Sequence, residues 1–580
     1  MTQYDIVIKN GTIVDGTRFP RYRADIAVKD GRIARIGRIE ASAGREVIDA
    51  EGKIVAPGHV DLHTHYDAQI HWDPYCTNSG DNGVTTVVAG NCGFGFAPCR
   101  PADRDRYMLM MENTEQVPYE QMKASLPWTW ETFPQWLDHV RTLKKGVNMM
   151  MFMPINPLMC YVMGVEAAKS RPATPAEMAE MKRQIHEAMD AGACGIGISH
   201  LGNHNSHTDY DGTAMPTDTM ATEDAAQLAS VLADRDEGFV QMLSQLGPFA
   251  DPDFAERVAR AAKRPVIQNI FVTIDSMPEA HKPQVAWLDR VNAEGLQIWG
   301  QSFSQPGWSE FNMIELNIND HIPEWREMSM IKDHDTKIAK FKDESFRARL
   351  RATYNPEILM FGSGPLEVIV LSTAGKAKEY EPFVDKTLGE VAAAQGKHVI
   401  DVLLDIAIAS DGWADFRTPP PVATNRKLAA DLLSHPHVLA GTSDGGAHSR
   451  FFSGGHWPTE LLIRLTRDEP HFTLEDMHYR LSYQPARVMN LMDRGAILEG
   501  LAADIIVYDY AKLALGGDRY EIRWDMPNKD WRRYMPTTGY EAILVNGAVT
   551  WRGGKSTGAV PGEFLTVTKP RPPRLREAAE

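Results

Sequence analysis

Apolar and polar positions change rhythm twice along this chain. Short alternating stretches bounded by turn residues run from Tyr4 to Lys9, Thr12 to Val14, Ala24 to Val28 and Ile33 to Ile36, with turns at Asn10-Gly11 and Asp30-Gly31. A period of two predicts half-buried strands, so the start of the chain reads as a small β module. Asp504 to Asp509 and residues 540–551 have the same texture, and the two ends are expected to pair into one small sheet domain. Between them the alternation gives way to continuous apolar runs: Ile54–His65, Thr85–Gly90, Met149–Pro154, Cys194–Ser199, Gly238–Leu243, Pro265–Phe271, Leu296–Phe303 and Val438–Ser443. Helical periodicity separates several of them, as in Pro175 to Ala191 and Thr222 to Asp234. Strands apolar on both faces that alternate with helices predict parallel βα units, and eight of them predict an α/β chain folded as a (β/α)8 TIM-like barrel.

One spacing departs from this rhythm. The seventh and eighth runs lie about 135 residues apart, against roughly 30 or more for a βαβ unit. The interval holds a charged helical stretch, Lys332 to Arg351, and ends near Pro419-Pro420-Pro421. An insertion on the catalytic face is expected to be a cap, with an assembly element as the alternative. The division that follows is residues 1–54 and 491–552 for a β-sandwich built from both ends, 55–490 for the barrel with its insertion at about 304–437, and 553–580 for a tail read as extended or disordered.

Composition narrows the class. A 580-residue chain that is 43% hydrophobic and 24% charged is an ordinary globular protein. A net charge of −16 argues against nucleic acid and anionic membrane surfaces, and points to a small-molecule partner. Self-association stays open. Five cysteines form too sparse and odd a set for a disulfide framework, so a cytoplasmic setting is expected. The first residues lack the basic start and apolar run of a signal peptide, and no window reaches the roughly 20 apolar residues of a membrane span.

Chemistry concentrates at strand ends. In Ala56-Pro57-Gly58-His59-Val60-Asp61-Leu62-His63-Thr64-His65 two imidazoles stand two residues apart after an apolar run, on one side of a strand. That pairing suits a divalent metal. Thr85 to Gly95 ends in Gly90-Asn91-Cys92-Gly93, which is expected to expose a thiol at the barrel mouth, either as a zinc ligand or as a small buried residue. Val438 to His448 delivers Asp444 to the same rim. Zinc lowers the pKa of a bound water towards about 7, and a neighbouring carboxylate takes the proton and later returns it. His448 and Arg450 follow on the loop, where they would orient a carbonyl or carboxylate or else face solvent.

Together these pieces resemble the amidohydrolase superfamily, and within it the N-acyl-D-amino-acid deacylases. The resemblance runs from residue 4 to about 551 and includes Gln484-Pro485-Ala486-Arg487, Asp493-Arg494-Gly495-Ala496-Ile497 and Ala502-Ala503-Asp504. It implies a metal-bearing barrel in which His63 and His65 are the first-strand ligands, Cys92 the cysteine ligand, and Asp444 the last-strand ligand and general base.

Departures from that pattern reshape the expectation. The deacylases carry a histidine on the fifth strand and another on the sixth, whereas here these read Gly238 to Ser244 and Val266 to Phe271, without histidine. One zinc per chain is therefore expected, with Gln241 and Asn269 weak candidates for the vacated positions. The fourth strand instead runs into His200, His204 and His207. His200, nearest the strand end, is the candidate replacement ligand or general acid, a solvated polar loop being the alternative. Trp299-Gly300-Gln301-Ser302-Phe303 also departs from the deacylase pattern, so D-amino-acid specificity is not implied. Met149 to Met153 and Trp299 to Trp308 are read as pocket wall or as core. The expectation is a metal-dependent hydrolase of a non-peptidic C–N amide bond. Its rivals are cleavage of a cyclic amide, ester or lactone, and a non-catalytic assembly protein on a barrel without metal.

Overall fold

The computed structural model describes residues 3–203, 205, 207–244, 252–357 and 364–567. Both ends of the chain join one nine-stranded sheet. Ile54–Pro57 lies between Tyr4–Ile13, to which it is parallel, and Ile505–Tyr508, to which it is antiparallel. Tyr22–Lys29, Arg32–Gly37 and Gly44–Asp49 extend one side, and Tyr540–Val545, Ala548–Arg552 and Lys555–Ser556 the other. The alternation read from the sequence turns Ile6, Ile8, Ile26, Val55, Ile505, Val507 and Leu544 into one apolar face.

All eight apolar runs contain strand. His59–Asp61, Val84–Ala89 and Asn148–Met151 form one parallel ladder. Met153–Pro154, Gly195–His200, Phe239–Ser244, Val266–Phe271, Ile298–Ser302 and Val438–Ala440 form a second, parallel throughout. Only Phe152 separates the two ladders along the chain, and its N–H donates to the Ala89 carbonyl. At the opposite margin Thr64 bridges Gly445, and the His65 N–H donates to the Gly445 carbonyl at 2.7 Å.

The run Ile54–His65 is not one strand, as its pattern suggested, but two. Its first half belongs to the nine-stranded sheet and its second to the parallel ladder. Gly58 is the switch: a Cβ there would sit 2.2 Å from Thr85 Oγ1, so only glycine allows the chain to pass this close. Interleaved helices follow their caps. Pro175–Asp190 starts at a capping box made by Thr174 and Glu177 and buries Met178, Met181, Ile185 and Met189. The methionine run Met149 to Met153 is fully buried and belongs to the core.

The long interval carries a structure of its own. Glu310–Phe311, Asp415–Arg417 and Val370–Thr373 make an antiparallel sheet, and helices Pro323–Ser329, His334–Lys342, Glu344–Thr353, Leu388–Gln395 and Val399–Ala409 pack on it. Phe311, Trp325, Phe341, Phe346, Leu403 and Phe416 form its separate apolar core. The charged stretch from Lys332 is broken at Asp343, whose side chain caps the second of its helices. Two small ladders, Ala514–Leu515 with Thr537–Thr538 and Glu521–Met526 with Asp530–Tyr534, lie outside every predicted element. Residues 561–567 run beside Asn148–Met151, where Phe564 bridges Met149, so the described part of the tail is extended and docked. No helix among the described residues is long and apolar enough to cross a membrane.

Candidate metal and catalytic site

His63 and His65 follow the strand His59–Asp61, and their rings meet edge to face with centroids 5.4 Å apart. Cys92 follows Val84–Ala89 on a tight turn in which a Cβ at Gly90 would lie 2.4 Å from the Phe152 carbonyl oxygen. That turn buries the thiol, which is 3% exposed, rather than opening it at the mouth. One donor atom from each of His63, His65 and Cys92 lies within 4.8 Å of the others. Asp444, four residues beyond the strand Val438–Ala440, closes the group. Its Oδ1 is 3.2 Å from His63 Nε2 and 3.6 Å from His65 Nε2, and Cys92 Sγ is 3.4 Å from His63 Nε2.

Electrostatics follow from burial. Desolvation pushes the Cys92 thiol up to about 12 and the His63 imidazole down to about 4. Burial also raises the Asp444 carboxyl, but the His65 hydrogen bond and the charges of His63 and His448 outweigh it and hold the group well below the usual carboxylate range. Beneath the pair, burial lifts Asp61 to about 7 although the Trp457 indole donates to it at 3.0 Å.

On the fifth and sixth strands, where the resemblance implied histidines, stands a row of amides. The Cys92 N–H donates to Gln241 Oε1 at 2.7 Å, Gln241 Nε2 to Asn269 Oδ1 at 2.9 Å, Asn269 Nδ2 to Gln301 Oε1 at 3.0 Å, and Gln301 Nε2 to the Gly441 carbonyl at 2.7 Å. Every oxygen in the row accepts a hydrogen bond, so Gln241 and Asn269 are committed to one another and hold the cysteine turn in place.

His448 stands beside Asp444, with Nε2 4.0 Å from Asp444 Oδ2. Its Nδ1–H donates to Gln116 Oε1, and its backbone N–H donates to the Glu115 carbonyl. Glu115, at the end of the helix Arg104–Thr114, is 1% exposed and reaches both His448 Nε2 and His65 Nδ1 at 3.7 Å. Burial raises its carboxyl to about 7. No motif marked it. His200 is placed apart from this group: its ring stacks on Phe254 with centroids 3.8 Å apart, and Nδ1 lies 3.2 Å from the Thr217 carbonyl. His204 lies outside the described residues. His207, farther along that loop, has the charges of Asp444 and His65 in its environment, although burial is what chiefly lowers it. Arg450 turns away from the site to Asp530 and the Trp531 carbonyl.

Relatives share the fold. D-aminoacylase of Alcaligenes xylosoxydans xylosoxydans is 25% identical over 570 residues, 97% of this chain and 98% of that one. The crystal structure of N-acyl-D-glutamate deacylase from Bordetella bronchiseptica, complexed with zinc and a phosphonate mimic of the tetrahedral intermediate, is 22% identical and covers 97% of this chain and 100% of its own, with a TM-score of 0.63. A D-aminoacylase structure at 21% identity, TM-score 0.64 and the same coverage is described by a binuclear metal centre with one-metal activation and second-metal attenuation. At these identities the two structures establish likeness of fold. The model of the amidohydrolase family matches residues 46–556, most of the chain, and the protein belongs to that family.

Proposed function

We propose that the protein hydrolyses a non-peptidic C–N amide bond of a small N-acyl compound, in the manner of the deacylases it resembles, with one zinc held by His63, His65, Cys92 and Asp444. The carrying observation is the convergence of those four side chains from the first, second and last parallel strands. Two imidazoles, a thiolate and a carboxylate are a donor set that suits zinc in a four-coordinate site. The amide row argues for one ion, since it occupies the strands on which a second set of ligands would stand.

When bound, zinc supplies a Lewis acid that polarises a carbonyl and acidifies water. The chain supplies the rest. Asp444 accepts a proton on its outer oxygen and returns it to the leaving nitrogen. Gln116 fixes the tautomer of His448 by taking its Nδ1–H, which leaves Nε2 facing the Asp444 and Glu115 carboxylates. Glu115 and Gln116 are buried, whereas Asp444 and His448 keep about a fifth of their side chains open, so the proton carriers face the substrate side and their supports are shielded from bulk water. His200, with its ring on Phe254, is left out of this set.

We read the parallel ladders, joined at Phe152 and at Thr64–Gly445, as a (β/α)8 barrel. The nine-stranded sheet, which also takes in Ile54–Pro57 and Lys555–Ser556, is read as the small β-sandwich domain expected of residues 1–54 and 491–552, and residues 304–437 as a cap. We place the protein in the cytoplasm, in keeping with five buried, unpaired cysteines. Elemental analysis of purified protein should find about one zinc per chain. Chelation should abolish hydrolysis of an N-acyl amino acid and amide panel, and zinc should restore it. A reproducible two metals per chain, or undiminished activity without metal, would overturn the reading.

A further inference from the structure

A cavity of about 280 Å³ opens on Asp444 and His448, and Ile270, Val272, Phe303, Trp308, Val422 and Phe452 wall it. The wall is propped from behind. Trp308 stacks on Tyr520 with centroids 4.9 Å apart, and Phe452 meets both Phe303 and Tyr520 at their edges or at a tilt. Among the described residues that line it, Asp444 and His448 are the ionisable ones. The neighbouring guanidiniums are taken: Arg450 pairs with Asp530 at 2.6 Å, and Arg533 with Glu310 at 3.0 Å and Asp415 at 2.6 Å. Residues 245–251 and 358–363 contain neither lysine nor arginine. A substrate carboxylate seated here would lose its water against aromatic carbon, beside the carboxylate of Asp444 and with no lysine or arginine among the described residues of the wall to meet it.

We propose that the preferred substrates are uncharged amides whose apolar group fills this cavity, with no carboxylate beside the scissile bond. This rests on the amide-hydrolysis reading and narrows it, because N-acyl amino acids carry that carboxylate. The test compares N-octanoyl-D-leucine with N-octanoyl-3-methylbutylamine, which has the same two apolar halves and lacks only the carboxylate. On zinc-loaded protein the uncharged amide should have a kcat/KM at least tenfold higher. Val422→Lys, which sets a cation at a half-buried point of the wall, should narrow or reverse that ratio. Equal rates, a preference for the acid, or a ratio that Val422→Lys leaves unmoved in a variant with full zinc content would overturn the proposal. If neither compound is cleaved, amide hydrolysis itself fails, and calorimetry then decides the cavity. The uncharged compound should still bind at least tenfold more tightly, and failure of either to bind, or equal binding, would overturn this proposal too.

Discussion

Cys92, Asp444 and His448 all hold left-handed backbone conformations, with φ of 55°, 50° and 54°. Such conformations cost non-glycine residues of order 1 to 3 kcal/mol each and persist only where the surroundings impose them. Here Gln241 holds the Cys92 N–H and Glu115 the His448 N–H, so the strain is held by named hydrogen bonds. Two predictions belong to this scale. Asp444→Asn keeps the volume and removes the proton acceptor, so kcat on a confirmed amide should fall by about 10² to 10⁴; near-normal turnover would move the base elsewhere. Glu115→Gln removes a buried negative charge facing His65 and His448, and should lower kcat or zinc affinity by about 10- to 100-fold, as for other supporting groups around a metal; steady-state kinetics and zinc titration read it. His63, His65, Cys92 and Asp444 are legible in the sequence because each sits where an apolar run ends. Glu115 is not, because a helix end reaches the site only through tertiary packing. Of the loop histidines that the sequence marks, nearness to the strand end favours His200, whereas the structure sets the charges of Asp444 and His65 around His207.

At the scale of elements, strands bounded by glycine or proline are the readable ones. Misreadings fall where a partner decides the outcome. Ile54–His65 looks like one strand because nothing local says that its halves belong to different sheets, and the ladders within residues 514–538 were invisible because their residues are charged and aromatic without a clean period. Those ladders matter to the insertion. Arg533, 1% exposed in its side chain, ties the hairpin to Glu310 and Asp415 of the insertion's sheet. Arg533→Met would leave the buried Glu310 and the half-buried Asp415 without their cation, a loss of about 3 to 5 kcal/mol as for a broken buried pair. The expected outcome is a lower thermal midpoint and faster proteolysis between residues 304 and 437, with zinc content preserved. Unchanged protease sensitivity would show that the hairpin does not hold the insertion.

For the whole molecule, the contact between the end sheet and the parallel strands contains a buried histidine pair. His59 stacks on His478 with centroids 5.7 Å apart, and His478 Nε2 lies 2.7 Å from the Tyr508 hydroxyl. Burial lowers both imidazoles, His478 to about 3 and His59 well below its ordinary value. A histidine depressed in the folded state is neutral there while the unfolded chain takes up its proton, so its stabilising contribution is complete above the unfolded value of about 6.5 and is lost as pH falls. The pair therefore pulls the thermal midpoint down between pH 7 and 5, against Asp61 and Glu115, whose raised carboxyls act in the opposite sense, so the variant is the readout: His478→Gln should lose less stability over that interval than the parent protein. An equal slope in the variant would assign the acid sensitivity to other groups.

The meeting of Thr64 with Gly445, and of the Ser443 hydroxyl with the His63 carbonyl, joins residues 380 positions apart. Contacts of such long separation form late, after most of the loop-closure entropy has been overcome. On the ribosome, His63, His65 and Cys92 emerge long before Asp444 can join them, so the complete ligand set is a product of finished synthesis. On the proposed reading a fourth donor reaches His63, His65 and Cys92 only when the last strand closes against the first, so a tightening of zinc binding would mark the end of assembly.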